Sequence, residues 1–257
     1  QIATDHQDHL YVAGYHHSDL TVGDEILLAK GDIDSDLFII SYDMNGQLLW
    51  AKNWGGSNSE SLGKLAINAA GDLFLAGTFQ GNIQADSLSA MTPIIFGALS
   101  EIFVLAIDGV THEARWLTSF SGYGHDVPTA LAVDDLGETT IAVSFQNDLM
   151  INSEIRFNAQ DLNFNVGLVH LDSTGAVAWA REFRGSGSDE IKGLGLDDQG
   201  QIYITGLFSG VTSFGGPPLR AFSGNDVMLA GYSELGDHLW SVSYVGESFD
   251  QALDLKV

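Results

Sequence analysis

Four acidic residues recur at one position of a sequence repeat and are the first candidates for chemistry. Glu60, Asp126, Asp189 and Asp250 each stand ten residues after a tryptophan, and a glycine stands six residues after the same tryptophan. We favour the interpretation that these carboxylates accept backbone hydrogen bonds and so shape a turn. A ring of them could instead bind a hard cation such as Ca²⁺, which prefers oxygen ligands. Calcium is the one cofactor that the sequence suggests.

A second acidic segment, GDIDSD at 31–36, alternates Asp32, Asp34 and Asp36 as calcium loops do. It lacks the glycine and the distal glutamate of an EF-hand loop. Asp36 also occupies a position of the repeat whose other members are Glu101, Asn165 and Asp226. A structural role for Asp36 is therefore the alternative to calcium binding.

Histidines and loop arginines are the remaining candidates for binding. His6 and His9 precede a predicted strand, and His16 and His17 follow it. Six extended residues span about 20 Å, so the two pairs lie at opposite ends of that strand and a four-histidine metal site is excluded. No hydrolase, zinc-protease, phosphate-loop or dinucleotide motif is present, and we predict no catalytic residue. The candidates for ligand binding on loops are His16, His17, Arg156 and Arg220.

The elements that position these residues follow from the repeat itself. Its tryptophans are spaced by 66, 63 and 61 residues and are Trp50, Trp116, Trp179 and Trp240. Between them lie alternating apolar segments such as LAIN, LFLAGTF and FVLAID, separated by glycine-containing turns. This pattern predicts four antiparallel strands, a to d, in each repeat of about 63 residues. Such meanders side by side are typical of β-propeller blades, with the tryptophans buried between blades.

The repeat also predicts the domain organisation. The whole chain, 1–257, is expected to be one all-β propeller region with blades at about 1–61, 62–127, 128–191 and 192–251. Residues 252–257 would begin a further blade. Residues 254–257 match residues 1–4 in the repeat, so one closed ring cannot seat both as strand a. We therefore expect part of a larger propeller, whose unpaired blade edges could associate with other chains.

The assembled repeat reads DDQGQIYITGLFSG, then FGG, then GNDVMLAGYSELGDHLW, followed by a glycine and an acid. In this form it resembles the bacterial SBBP (seven-bladed β-propeller) repeat family along essentially the whole chain. The resemblance implies a secreted or cell-surface bacterial protein. Two departures are local: Val143 replaces the strand-b glycine of the other repeats, and the turn after Asp108 is one residue longer.

Composition excludes several partners. Ten Lys and Arg against 34 Asp and Glu give a formal net charge of −24. Nucleic acids and anionic membrane surfaces require clustered basic residues, so neither is an expected partner. No apolar run approaches the roughly 20 residues of a membrane-spanning helix, so membrane insertion is not expected. A hydrophobic content of 45% excludes a disordered acidic tail.

The connections of a meander alternate between its two ends, and this places the predicted binding face. The b–c connections, at 16–35, 80–100, 146–163 and 209–225, are long and differ between repeats. Long variable loops on a rigid scaffold usually carry recognition. We therefore predict a non-enzymatic scaffold that binds protein or glycan through these loops. The alternatives are a propeller hydrolase or lyase acting on glycans, and a structural subunit of an extracellular assembly.

Overall fold

A computed structural model describes residues 1–30, 34–56, 58–91, 98–152, 154–158 and 163–257. Within these ranges the chain forms strands and turns and no helix, which confirms the all-β prediction. Among them, no helix is long and apolar enough to cross a bilayer. The strands group into four successive units, each an antiparallel meander of four strands.

The first unit contains a small hairpin between its second and third meander strands. Its strands are β1 (Ile2–Thr4), β2 (Leu10–His16), β3 (Leu20–Val22), β4 (Glu25–Leu27), β5 (Asp36–Tyr42) and β6 (Leu48–Gly56). The meander runs β1, β2, β5, β6, each strand antiparallel to the next. Within the described residues, β3 and β4 pair only with each other.

The hairpin of the second unit pairs with the sheet of the first unit. Its strands are β7 (Glu60–Ile67), β8 (Leu73–Phe79), β9 (Asn82–Ala85), β10 (Leu88–Met91), β11 (Ala98–Ile107) and β12 (Ala114–His125). The meander is β7, β8, β11, β12. β9 pairs with β6 of the first unit, where Gly56 lies opposite Ile83. The first sheet therefore gains two strands from its neighbour.

The third unit repeats this arrangement. Its strands are β13 (Val127–Val133), β14 (Thr139–Phe145), β15 (Asp148–Met150), β16 (Arg156–Asn158), β17 (Asn165–Leu171) and β18 (Val177–Gly185). The meander is β13, β14, β17, β18. β15 pairs with β12 of the second unit, and Gly122 lies opposite Leu149.

The fourth unit forms its hairpin by extending two long meander strands. Its strands are β19 (Glu190–Leu196), β20 (Ile202–Ser213), β21 (Leu219–Tyr232) and β22 (His238–Tyr244). They pair consecutively. The far end of β20 pairs with β18 of the third unit, and Gly185 lies opposite Thr212. The same inter-unit pairing thus occurs three times in one register.

The glycine six residues after Trp50 and after Trp116 is explained by this pairing. A Cβ on Gly56 would lie 1.8 Å from the carbonyl oxygen of Asn82, and one on Gly122 would lie 1.9 Å from that of Asp148. The hairpin backbone occupies the space that a side chain would need. The glycine is therefore required where a neighbouring hairpin docks.

Apolar cores lie between adjacent units. One cluster joins Phe74 and Trp116 of the second unit to Ile141 and Val169 of the third. The first strands lie side by side, with β13 against both β7 and β19. Each unit therefore depends on its neighbours for burial of its apolar faces.

The tryptophans also join neighbouring units. Trp116 donates its indole N–H to the carbonyl oxygen of Ser173 over 3.1 Å, and Trp179 donates to that of Glu234 over 3.0 Å. Both acceptors lie in the c–d turn of the following unit. In the first unit Trp50 stacks on His112 of the lengthened turn, with ring centroids 4.3 Å apart.

The burial of these tryptophans is uneven. Trp116 is 8% exposed, Trp50 and Trp179 are half-buried, and Trp240 of the last unit is 38% exposed. The expectation that all four are core residues is therefore wrong for Trp240. Its unit has no following c–d turn in the structure to cover it.

The last residues run beside the fourth unit without forming a strand. A Cβ on Gly193 of β19 would lie 2.5 Å from the amide nitrogen of Leu255. Gly63 of β7 faces Pro128 of the next unit in a similar way. Residues 254–257 therefore lie where the first strand of a further unit is expected, and that further blade stays a prediction.

Candidate functional site

The recurring acids belong to buried pairs at the end of each unit where the b–c and d–a connections meet. Where the first unit meets the second, Asp36 of β5 and Glu60 of β7 flank Gly55, and a Cβ on that glycine would lie 1.8 Å and 2.9 Å from their respective carboxyl oxygens. Both residues are buried. Among the described residues, neither carboxyl oxygen of Glu60 has a well-formed hydrogen bond, although the Gly56 amide lies close enough to oppose the rise of its pKa. The two carboxyl groups therefore share one desolvated site.

The second pair consists of Glu101 and Asp126. The Gly122 amide donates to Glu101 Oε2 over 3.2 Å, and the Gln146 amide donates to Asp126 Oδ1 over 3.3 Å. Glu101 Oε1 and Asp126 Oδ2 have no hydrogen-bond partner within the part of the chain that the structure describes. Gln146 belongs to a b–c connection, so Asp126 is held by the next unit's hairpin segment rather than by its own d–a turn.

The third and fourth pairs differ in composition. Asn165 replaces the first acid of the third pair, and the Thr212 hydroxyl lies 3.1 Å from each carboxyl oxygen of Asp189. In the fourth unit the Gly246 amide donates to Asp226 Oδ1 over 2.9 Å, and Asp250 is only partly buried. The pair is most enclosed where a following unit covers it.

Burial changes the acidity of these groups. Desolvation, with a further contribution from the charge of Asp36, raises the pKa of Glu60 to about 8. Desolvation raises the pKa of Glu101 to about 7. Desolvation and the charge of Glu101 raise the pKa of Asp126 to about 8. At neutral pH these pairs therefore retain protons, and a protonated carboxyl can donate a hydrogen bond to its partner.

The acids do not gather into a metal centre in the described part of the chain. No group of three or more His, Cys, Asp or Glu side chains is arranged there to hold a metal ion. The four acids of the repeat lie in separate units. Asp32 lies outside the described residues, while Asp36 accepts a hydrogen bond from the Lys30 amide over 2.6 Å. Calcium binding at 31–36 stays a prediction.

A groove opens at the same end of the units. One cavity of about 530 Å³ lies between the first and second units, and a second of about 350 Å³ lies between the third and fourth. His125, at the end of β12, lines both. The larger cavity is lined by Tyr15, His17, Ser35, Ser59, Glu60, Ser61, Thr78, Gln80, Ser100 and His125.

The larger cavity presents hydroxyl groups, an amide and aromatic rings. Tyr15 and His17 meet edge to face with ring centroids 5.6 Å apart, and both are exposed. Glu60 is fully buried, so its carboxyl group does not reach the surface. These walls suit a ligand that exchanges hydrogen bonds with neutral groups and packs against rings.

The predicted loop residues are not brought together. His17 lines the cavity, but His16 is buried, with Nδ1 2.7 Å from the Ser18 carbonyl oxygen. Arg156 lies on β16 and forms an ion pair with Asp148. Arg220 is exposed on the extension of β21, opposite Val211. The b–c connections that carry the arginines are used for pairing with the preceding unit.

The sequence analysis missed the residues that precede the recurring acids. Ser59, His125 and Ser188 each stand immediately before the acid of their unit, and all three line the groove. When the repeats are aligned on the recurring acid, the residue immediately before it differs between repeats. A variable residue next to a recurring one was the sequence signal that could have identified these groove residues.

Comparisons with known proteins identify no family. No family model matches the chain, and no curated protein matches it. Among solved structures, the extracellular domain of BT4673 from B. thetaiotaomicron matches 93% of this chain, with 8% sequence identity and a TM-score of 0.19. The match covers 51% of that chain, so this protein spans about half of its length.

Proposed function

We propose that the four units are consecutive blades of a β-propeller of the SBBP kind. The repeated order of four antiparallel strands supports this assignment, as do the first strands lying side by side. Docking of three b–c hairpins on the preceding units in one register supports a regular succession of blades. The chain is then an arc of blades whose axis lies along β1, β7, β13 and β19.

We propose that this arc is a non-enzymatic binding module of a secreted or cell-surface bacterial protein, and that it binds an uncharged glycan in the groove. The observation that carries the proposal is the 530 Å³ cavity with hydroxyl groups, an amide and ring edges on its walls. Hydroxyl and amide groups exchange hydrogen bonds with sugar hydroxyls, and rings pack against apolar sugar faces. The net charge of −24 disfavours anionic ligands.

Binding to a panel of neutral oligosaccharides, followed by calorimetry, tests the proposal. His17→Ala and Tyr15→Ala are expected to weaken binding of the selected glycan about tenfold or more, which corresponds to about 1.4 kcal/mol. His6→Ala is the matched control, because His6 is also exposed and precedes β2 at the opposite end. It is expected to leave the affinity unchanged.

Three outcomes would contradict the proposal. If no neutral glycan binds, or if the Tyr15 and His17 variants bind as well as the unchanged protein, the groove is not a glycan site. If a bound glycan is cleaved during the measurement, the alternative of a propeller hydrolase or lyase replaces the non-enzymatic proposal.

A further inference from the structure

The groove is lined by equivalent positions of the repeat, and two of these positions contribute in all four units. One is the sixth residue of the segment that reads LFLAGTF in the second unit, and its members are Tyr15, Thr78, Ser144 and Leu207. The other immediately precedes the first member of each buried pair, and its members are Ser35, Ser100, Phe164 and Asn225. In each set the first two residues line the larger cavity and the last two line the smaller one. The two cavities therefore share a framework and differ in their side chains.

The side chains at these positions change along the row of units. All four in the first two units carry a hydroxyl group, whereas Phe164 and Leu207 are apolar. Immediately after the recurring acid, Ser61 lines the larger cavity and Val127 lines the smaller one. The smaller cavity therefore has an apolar wall at positions where the larger cavity has hydroxyl groups.

Polar groups remain in the smaller cavity beside this wall. Ser144 is 4% exposed, and its hydroxyl group forms no hydrogen bond with the described residues. Asn225 is half-buried, and its backbone is held by a hydrogen bond of 2.9 Å from the Asp250 amide to its carbonyl oxygen. The side-chain amide of Asn225 supplies both a donor and an acceptor. The cavity can therefore exchange hydrogen bonds with a group that packs on its apolar wall.

The two acids on the wall of the smaller cavity have partners within the chain. Glu190 forms an ion pair with Lys192. Asp189 is buried, and the Thr212 hydroxyl lies 3.1 Å from each of its carboxyl oxygens. The smaller cavity is therefore suited to an uncharged group.

We infer that the smaller cavity binds the acetamido group of an N-acetylated sugar. This inference rests on the proposed glycan site and adds its specificity. The methyl group packs against Val127, Phe164 and Leu207. The amide N–H and the carbonyl oxygen of the acetamido group exchange hydrogen bonds with Ser144 and Asn225.

Two other uncharged groups match the cavity less well. A sugar hydroxyl would leave the apolar wall in contact with water, so the free energy of burying that wall would not be gained. An acyl chain would cover the buried Ser144 hydroxyl without offering it a partner, which costs free energy. An acetamido group matches both parts of the cavity, and it adds no negative charge to a chain with a net charge of −24.

Calorimetric titration with matched pairs of sugars tests this specificity. One pair is chitotetraose, the tetramer of N-acetylglucosamine, and cellotetraose, the corresponding tetramer of glucose. The other pair is N-acetylgalactosamine and galactose. The members of each pair differ only in the acetamido group. At least one acetamido sugar is expected to bind about tenfold or more tightly than its partner, because one apolar group in a pocket changes affinity by about 10–200-fold.

Two substitutions give the smaller cavity the residues that the first two units carry at equivalent positions. Phe164→Ser reproduces Ser35 and Ser100, and Val127→Ser reproduces Ser61. Phe164 and Val127 are only half-buried, so the fold is expected to persist, and the thermal unfolding midpoint checks this. Each variant is expected to lose the preference for the acetamido sugar about tenfold while keeping its affinity for the unsubstituted one.

Ser144→Ala provides an independent reading, because it removes only one hydroxyl group, and it is also expected to lower the preference. Phe222→Ser is the matched control, since Phe222 is 73% exposed and lines neither of the two cavities. It is expected to leave both affinities unchanged.

The outcomes separate this inference from the proposed function. If a neutral glycan binds but no pair shows a preference for the acetamido sugar, the inference is wrong and the proposed glycan site is unaffected. The same holds if Phe164→Ser, Val127→Ser and Ser144→Ala all retain the preference. If no neutral glycan binds at all, the proposed function fails, and the inference fails with it.

Discussion

At the scale of single residues, the recurring acids combine burial with incomplete hydrogen bonding. Glu60 and Asp126 are fully buried, and among the described residues some of their carboxyl oxygen atoms lack a well-formed hydrogen bond. An ionised carboxylate in this setting would be costly, whereas a protonated one is tolerated. Because a catalytic acid would be needed only once, recurrence in successive units favours our interpretation that these acids are structural, which stays a prediction.

The raised pKa values predict that stability falls as pH rises. Glu60 and Asp126 bind protons more tightly in the folded than in the unfolded chain, with folded pKa values of about 8 for both. Their stabilising contribution is complete below their ordinary values of 4.5 and 3.8 and is lost as pH rises to about 8. Chemical denaturation between pH 5 and pH 8.5 is expected to show a decreasing free energy of unfolding.

Two asparagine variants separate this effect from that of exposed acids. Asp126→Asn removes the ionisable group and is expected to flatten the pH dependence. Asp43→Asn is the control, because backbone hydrogen bonds lower the pKa of Asp43, whose contribution is lost only as pH falls through the folded value. A pH dependence that Asp126→Asn leaves unchanged would show that the buried pairs are not its source.

At the scale of elements, neighbouring units are held together by the hairpins and by the fourth strand of each meander. Short hairpins would be marginal alone, but those of the second, third and fourth units each pair with the preceding unit's sheet. The tryptophan on the same fourth strand contacts the c–d turn of the following unit. The two contacts act on opposite ends of the strand and fix its register.

Removal of two tryptophans at equivalent positions tests the contribution of the covering turn. Trp116→Ala is expected to destabilise the protein by about 3–5 kcal/mol, because a large buried side chain and its hydrogen bond are lost. Trp240→Ala is expected to cost about 1 kcal/mol or less, since Trp240 is partly exposed. Urea denaturation in dilute, low-salt solution provides the measurement. Equal costs would mean that the following turn contributes nothing.

At the scale of the whole molecule, the units form a row in which each contacts its neighbours. The apolar clusters join the first unit to the second, the second to the third, and the third to the fourth. Stability in such a row is a sum of unit and interface contributions. The interior units have two interfaces, and the terminal units have one.

Hydrogen exchange is therefore expected to reveal a gradient along the row. All residues of β14 and β17 in the third unit are buried, whereas β22 contains only exposed and half-buried residues. Under dilute, low-salt conditions, hydrogen-bonded amides of β22 are expected to exchange faster than those of β17, because the last unit can open alone. Equal opening free energies across all units would instead indicate one cooperative transition.

The sequence alone determined the strands, the repeat and the presence of acids at the ends of the units. Alternating apolar residues and glycine turns are local signals, so LFLAGTF at 73–79 predicts β8 without knowledge of the rest of the chain. The aspartates of the short turns also bind residues close to them in sequence. Asp172, for example, accepts hydrogen bonds from the Thr174 and Ala176 amides.

Only the tertiary structure decided what the b–c connections do and which residues line the groove. Three of the four hairpins pair with strands of another unit, and β15 meets β12 only because the second and third units pack together. Their strands are short and show little alternation, so local pattern does not identify the partner. The burial of Glu60 and the exposure of Trp240 likewise depend on whether a following unit covers them, and this is a property of packing rather than of local sequence.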